Sequence, residues 1–149
     1  MEYRLYKPED FAALYAIEEV CFQPPFRFER RYMQRLVNAR NSATWIAEAA
    51  GGMAGFAIVE WSGAGNHAYI PTIEVLPDRR REGVGGELLR RLEESARAAG
   101  AWALWLHVDE SNAHAIRLYE AHGFVAAAKE EHFYAPGRGA FLYRKLLQG

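Results

Sequence analysis

Cysteine is nearly absent from this chain. Cys21 stands alone among 149 residues, which excludes an intrachain disulfide and a metal site built from several cysteines. A lone cysteine on an apolar stretch reads as a buried thiol, since a nucleophile would need a base and a polar pocket around it. Charge of one sign is also lacking. The formal net charge is −1, so no general affinity for nucleic acid is expected and any basic cluster is a local feature. No apolar run approaches the ~20 residues of a membrane span. The opening MEYRLYKPED has no signal-peptide core, so the expectation is a cytosolic protein. Internal repeats, low-complexity tracts and long linkers are missing too, and residues 1–149 read as one domain. His107, His114, His122 and His132 are scattered without a ligand-like pattern of companions, so no metal is expected.

Half of the residues are apolar and a quarter charged, the balance of a globular domain with a substantial core. Glu2–Tyr6 alternates as a short strand. Pro8 suits a first helical turn, and Phe11, Leu14, Tyr15, Ile17 and Cys21 then form a helical stripe. Pro24 and Pro25 break that helix, and a second follows over roughly Glu29–Asn38. Thr44–Ala49 and Met53–Trp61 flank Gly51-Gly52, a hairpin signal. The turn SGAGN leads to a strand over His67–Leu76. A helix, a largely apolar strand over Ala101–Val108, a helix capped by Ser111 or Asn112 and ending at Gly123, and two strands around APGRG complete the chain. The order β-α-α-β-β-β-α-β-α-β-β predicts a mixed α/β fold with strand–helix–strand crossovers in its second half. Trp45, Trp61, Trp102 and Trp105 are all expected in strands, serving the core.

The third helix begins badly. From Glu87 onward Leu88, Leu89, Leu92, Ala96 and Ala99 keep a clean amphipathic spacing. Its entrance holds Arg79, Arg80 and Arg81 where the dipole is already positive, and Gly83, Gly85 and Gly86 where better helix formers would stabilise more. A solvated basic turn is the plain explanation. An anion explains more: the first backbone N–H groups of a helix lack partners, and glycine removes the side chains that would keep a phosphate away. No Gly-Lys-Ser/Thr follows, so this is not the lysine-bearing phosphate loop. Leu88 stands where a dinucleotide fingerprint needs its third glycine.

Arg80-Arg81-Glu82-Gly83-Val84-Gly85 resembles the Arg/Gln-x-x-Gly-x-Gly/Ala motif of the GNAT superfamily of acyl-CoA-dependent N-acyltransferases. Asn112 through Phe124, NAHAIRLYEAHGF, is similar to that superfamily's N-x-x-A-x-x-L-Y-E-x-x-G-F signature, with a strand between the two motifs. The resemblance implies the GNAT fold: a mixed, mostly antiparallel sheet of about seven strands, splayed at the cofactor site and flanked by about four helices. It implies acetyl-CoA as cofactor, held at its pyrophosphate by the backbone of Arg80, Arg81, Glu82, Gly83, Val84, Gly85 and Gly86. Main-chain groups of Ile73, Glu74 and Val75 would meet the pantetheine arm. An amine would attack the thioester directly, a reaction governed largely by proximity and orientation.

The same resemblance gives roles to single residues. Tyr119 is the candidate general acid for the departing thiolate. Asn112, seven residues earlier and on the same helical face, is both a cap and a cofactor contact. LWLHVDESNAHAIRLYE most resembles the RimI-type N-terminal acetyltransferases, which modify protein α-amino groups. There the position of His107 is commonly a glutamate acting as base, and histidine suits the same work near neutrality. Glu18, Glu74, Tyr134 and water are the rivals; Glu74, alternating with Ile73 and Val75, is expected to point away from what they line. Phe26 and Tyr134 resemble the residues that shape that subgroup's acceptor groove. Arg138 and Gly139 depart from it, standing where acidic residues are usual. The implied acceptor is a primary amine, a protein N-terminus or, in the alternative, a polyamine, amino acid or aminoglycoside. A non-catalytic CoA-binding module is the reading from another class. Monomer and homodimer both stay open.

Overall fold

The architecture was obtained as a computed structural model, which describes residues 1–64 and 66–147. Gly65, in the middle of the turn expected from SGAGN, lies outside the described residues. The strands are β1 (Glu2–Leu5), β2 (Ser42–Ala49), β3 (Gly52–Trp61), β4 (His67–Val75), β5 (Ala103–Asp109), β6 (Val125–Ala135) and β7 (Arg138–Leu146). The α-helices are α1 (Phe11–Cys21), α2 (Arg30–Asn38), α3 (Val84–Ala98) and α4 (Ala113–Ala121). They follow the order read from the sequence, and among the described residues the seven strands form one sheet ordered β1-β2-β3-β4-β5-β7-β6.

Side-chain alternation explains why the central strands are apolar almost throughout. Ile46, Phe56 and Ile58 face Leu14, Ile17, Met33 and Leu36 of α1 and α2. Their neighbours Ala47, Ala57 and Val59 face the opposite side, where α3 presents Leu88, Leu89 and Leu92. A strand covered on both faces cannot alternate with polar residues. Leu88, Leu89 and Leu92 are fully buried; truncating any one of them to alanine would cost about 2–5 kcal/mol.

Several boundaries differ from the sequence reading, for physical reasons. α3 starts at Val84 rather than near Glu87, because Gly85 and Gly86 pack against Leu118 and His122 of the α4 region. That packing offsets the poor helix propensity of glycine. β5 begins two residues late, since Ala101 N–H bonds the Ala96 carbonyl and finishes α3. Trp102 accordingly lies outside the strand, half exposed, with its ring 4.9 Å from that of His67; it is not a core residue.

β4 and β5 run parallel, and this pair positions the site. Their register covers His67↔Ala103 to Ile70↔Leu106 and then stops, although β4 continues to Val75. Pro71 follows at the parting point and has no N–H to offer a ladder. Beyond it β4 stays paired with β3 alone, while β5, paired with β7 along its whole length, stays with it to Asp109↔Ala140. The sheet is open between them.

Candidate active site

The opening between β4 and β5 leads to the start of α3. Gly83 caps that helix at φ 80°, in the left-handed region, with no side-chain hydrogen bond to the helix, and a Cβ there would meet nothing within 4 Å. Arg81 is also left-handed, at φ 71°, so two residues of one short turn bend the chain to present the helix mouth. The first bond back into the helix runs from Glu87 N–H to the Gly83 carbonyl, 3.1 Å. The N–H groups of Val84, Gly85 and Gly86 precede that bond and have no partner within the helix. Bare donors, a positive dipole end and nearby guanidinium groups suit a phosphate.

A cleft of about 720 Å³ joins these features. Ile73, Glu74 and Val75 line it from β4, Arg80, Arg81 and Gly83–Gly86 from the α3 entrance, and Asn112 and Tyr119 from the α4 side. The sequence-derived cofactor residues therefore surround one space, with one exception. Glu82 does not line it; its carboxylate lies 3.9 Å from Arg79. Arg80 folds back, its Nε donating to the Val75 carbonyl at 3.1 Å. His114 and Arg117 line the same cleft, and neither had a cofactor role in the sequence reading.

A second cavity, of about 350 Å³, continues on the α1–α2 side. Phe26 and Tyr134, both expected at the acceptor groove, meet there with ring centroids 4.9 Å apart, and Arg138 lies 4.6 Å over the Phe26 ring. Tyr134 reaches this position because β6 leaves register with β7 between Glu130 and Ala135, with His132 at φ 60°. Burial pushes the Tyr134 phenol up to about 12, and the charge of Asp109 adds to the shift.

Tyr119 lines both cavities. Burial, with Tyr134 nearby, pushes its phenol well above the ordinary tyrosine value, so it keeps a proton to give. Asn112 also borders both; its Oδ1 accepts from Ala115 N–H at 3.1 Å, which makes Asn112, and not Ser111, the cap of α4.

His107 lines the second cavity. Its Nδ1 lies 2.6 Å from the Tyr69 hydroxyl, its Nε2 contacts the Glu130 carboxylate, and Phe133 stacks on its face at 4.0 Å. Sequence reasoning missed Tyr69 and Glu130. Desolvation raises the Tyr69 phenol far above its usual value, so it keeps its O–H, and the imidazole tautomer decides which of the two donates.

Two of the rival bases, Glu18 and Glu74, lie in the interior, almost fully buried. Glu74 accepts from Thr72 Oγ1 at 2.8 Å, and Glu18 accepts from Phe28 N–H at 2.8 Å. Burial first, and the Glu18 carboxyl second, push Glu74 well above the carboxylate range. A carboxyl that holds its proton is a poor base. Cys21 is half-buried, its thiol directed at the Val75 carbonyl 3.6 Å away. Burial raises it to about 11, which leaves little thiolate at neutrality.

The sequence pattern of the acetyltransferase (GNAT) family matches residues 11–124. Streptothricin acetyltransferase of Streptomyces lavendulae is 39% identical over 95 residues, spanning 63% of this chain and 50% of that protein. The ribosomal protein bS18-alanine N-acetyltransferase of Escherichia coli K12 is 40% identical over 84 residues, 56% of this chain and 55% of that one. The matched segment thus spans about half the length of these relatives. The crystal structure of the Escherichia coli ribosomal-protein-S18-alanine N-acetyltransferase superimposes with a TM-score of 0.87 at 27% identity, covering 99% of this chain and 94% of that one.

Proposed function

Because the chain belongs to the acetyltransferase (GNAT) family, we propose that it moves an acetyl group from acetyl-CoA to a primary amine. The observation that carries this reading is the sharing of Tyr119 by the two cavities. A donor approaching along one and an acceptor along the other would meet beside its hydroxyl.

The residues present fit acetyl-CoA. Gly83 leaves open space where a side chain would stand, the helix mouth offers unpaired N–H groups, and arginines flank it. The backbone of Arg81–Gly86 would hold the pyrophosphate, and the unpaired edge of β4 at Ile73–Val75 would hold the pantetheine arm. Bound there, acetyl-CoA supplies an activated thioester carbonyl.

The chain's own groups then manage two protons. His107 takes the proton of the acceptor's ammonium through the Tyr69 hydroxyl, which hands its own proton to Nδ1 as it receives another. Tyr119, held protonated by burial, gives its proton to the departing sulfur. Cys21 takes no part, so transfer is direct. Placing the partners side by side supplies most of the acceleration, up to about 7–11 kcal/mol in favourable cases, and proton transfer adds about 10²–10⁴-fold.

The acceptor is read first as a protein N-terminal α-amine. The structural likeness to the ribosomal-protein-alanine enzyme and the Phe26–Tyr134 wall support it. A small-molecule amine is the second reading. It is favoured by the streptothricin relative and by Arg138, which pairs with Asp109 at 3.4 Å. Incubation with acetyl-CoA and a panel of N-terminal peptides beside small amines, scored by thiol release and product mass, separates them. Acetylation of small amines alone would end the N-terminal reading. CoA binding without thiol release on any amine would instead support a non-catalytic module.

A further inference from the structure

Three consecutive charged residues, Lys129-Glu130-Glu131, occupy the exposed edge strand β6. Lys129 pairs with Glu110 at 3.2 Å and Glu131 at 3.4 Å. Glu130 does something different. It reaches across β7 to the imidazole of His107 on β5, past Ala140 and Leu142, its partner and that of His107 in the β7 ladder. Glu130 is also the last paired residue before β6 breaks register, and the bulge that follows brings Phe133 onto the face of the same ring. One short segment therefore clamps His107 twice, by an edge and by a face.

We infer that Glu130 is a positioning residue: its carboxylate accepts the Nε2–H of His107 and so keeps Nδ1 bare toward Tyr69. The assignment is consistent from both sides. A carboxylate can only accept, so the proton between Glu130 and the ring sits on Nε2. A neutral imidazole carries one such proton, so Nδ1 is an acceptor, and the Tyr69 hydroxyl 2.6 Å away is its donor. The opposite tautomer would set a lone pair against the carboxylate, while the Tyr69 hydroxyl could accept from its Nδ1–H, so it is the Glu130 side that decides. When Nδ1 takes a proton the ring becomes imidazolium, and the same carboxylate offsets the new charge. No bond other than O–H and N–H changes, and the proton ends on Nδ1. The orientation logic is that of a carboxylate holding a catalytic histidine, with a tyrosine hydroxyl on the working nitrogen.

An ordinary surface ion pair would look similar but behave otherwise. The Glu130 side chain is 43% exposed, and such pairs contribute little to stability. Loss of Glu130 is therefore expected in the ring's protonation pattern and in turnover rather than in melting temperature.

The kinetic part of this inference rests on the acetyltransferase reading; the tautomer does not. The test is ¹⁵N NMR of the imidazole nitrogens in the full chain, with the His107 signals assigned by His107→Gln. Wild type is expected to show a protonated Nε2 and an acceptor-like Nδ1, and Glu130→Ala a mixed pattern. With an amine that supports turnover, Glu130→Ala should lower kcat about tenfold or more, inside the range that acid–base catalysis supplies, with KM for acetyl-CoA within twofold. Should Glu130→Ala fold poorly, Glu130→Leu, which fills similar space and cannot accept the Nε2–H, carries the comparison. A wild-type Nε2 without a proton, or identical His107 signals in wild type and Glu130→Ala, would overturn the assignment. Absence of thiol release by wild type on every amine would count against the acetyltransferase reading and leave the tautomer to decide this one.

Discussion

The hydroxyl of Tyr69 on β4 lies 2.6 Å from Nδ1 of His107 on β5, a hydrogen bond across the one strand pair that runs parallel among the described residues. It stands just before the strands part, where the second cavity is lined by both side chains. In the proposed mechanism, removing the hydroxyl interrupts the path from acceptor to imidazole while sparing the ring. Tyr69→Phe is expected to lower kcat about tenfold or more, with the KM for acetyl-CoA unchanged. Steady-state kinetics in both substrates checks this; equal turnover would take Tyr69 out of the proton path.

In the proposed mechanism Tyr119→Phe removes the proton offered to the leaving sulfur. Turnover should fall while acetyl-CoA affinity stays nearly constant. Burial raises the Tyr119 phenol, so its proton persists beyond the pH of about 10 at which an ordinary tyrosine loses it. Wild-type turnover should therefore show no loss from this group below that pH. A phenylalanine variant with the wild-type rate at every pH would remove Tyr119 from the mechanism.

Gly83→Leu probes the proposed cofactor site. The residue sits at φ 80°, where a side chain costs about 1–2 kcal/mol, and its Cβ would stand in the open space of the helix mouth. The KM for acetyl-CoA should rise about tenfold or more, since about 1.4 kcal/mol of lost binding already gives that factor. The KM for the amine should hold. A rise in the amine KM alone would place the donor elsewhere.

The buried pair Glu18–Glu74 predicts a pH-dependent stability. Desolvation, then Glu18, raises the folded-state value of Glu74. The native protein thus keeps a proton that the unfolded chain, with an ordinary value of about 4.3, releases. The contribution is full below that unfolded value and is lost as pH rises through the raised folded one. Urea unfolding from pH 4 to 8 should show declining stability, and Glu74→Gln should flatten the decline. Parallel curves for the two proteins would contradict the buried-proton account.

The element order was legible because periodicity is local: the stripe from Phe11 to Ile17 and the apolar run of β3 announce themselves. The start of α3 was not, because Gly85 and Gly86 are justified by Leu118 and His122, more than thirty residues away. Phe26 and Tyr134 were found through motif likeness, and the structure brings them together. Tyr69 escaped since an aromatic at an alternating strand position looks like core. Glu130 escaped since a run of three charges looks solvated. What isolates Glu130 is the register break after it, a property of two strands that neither strand's sequence carries alone.

The central claim is that the mouth of α3 and the opened edge of β4 hold the acetyl donor through its CoA moiety. Isothermal titration of the chain with CoA tests it most directly. Saturable binding of one CoA per chain, displaced by acetyl-CoA and weakened by Gly83→Leu, is the predicted result. Heats that never saturate, or that Gly83→Leu leaves unaltered, would contradict it.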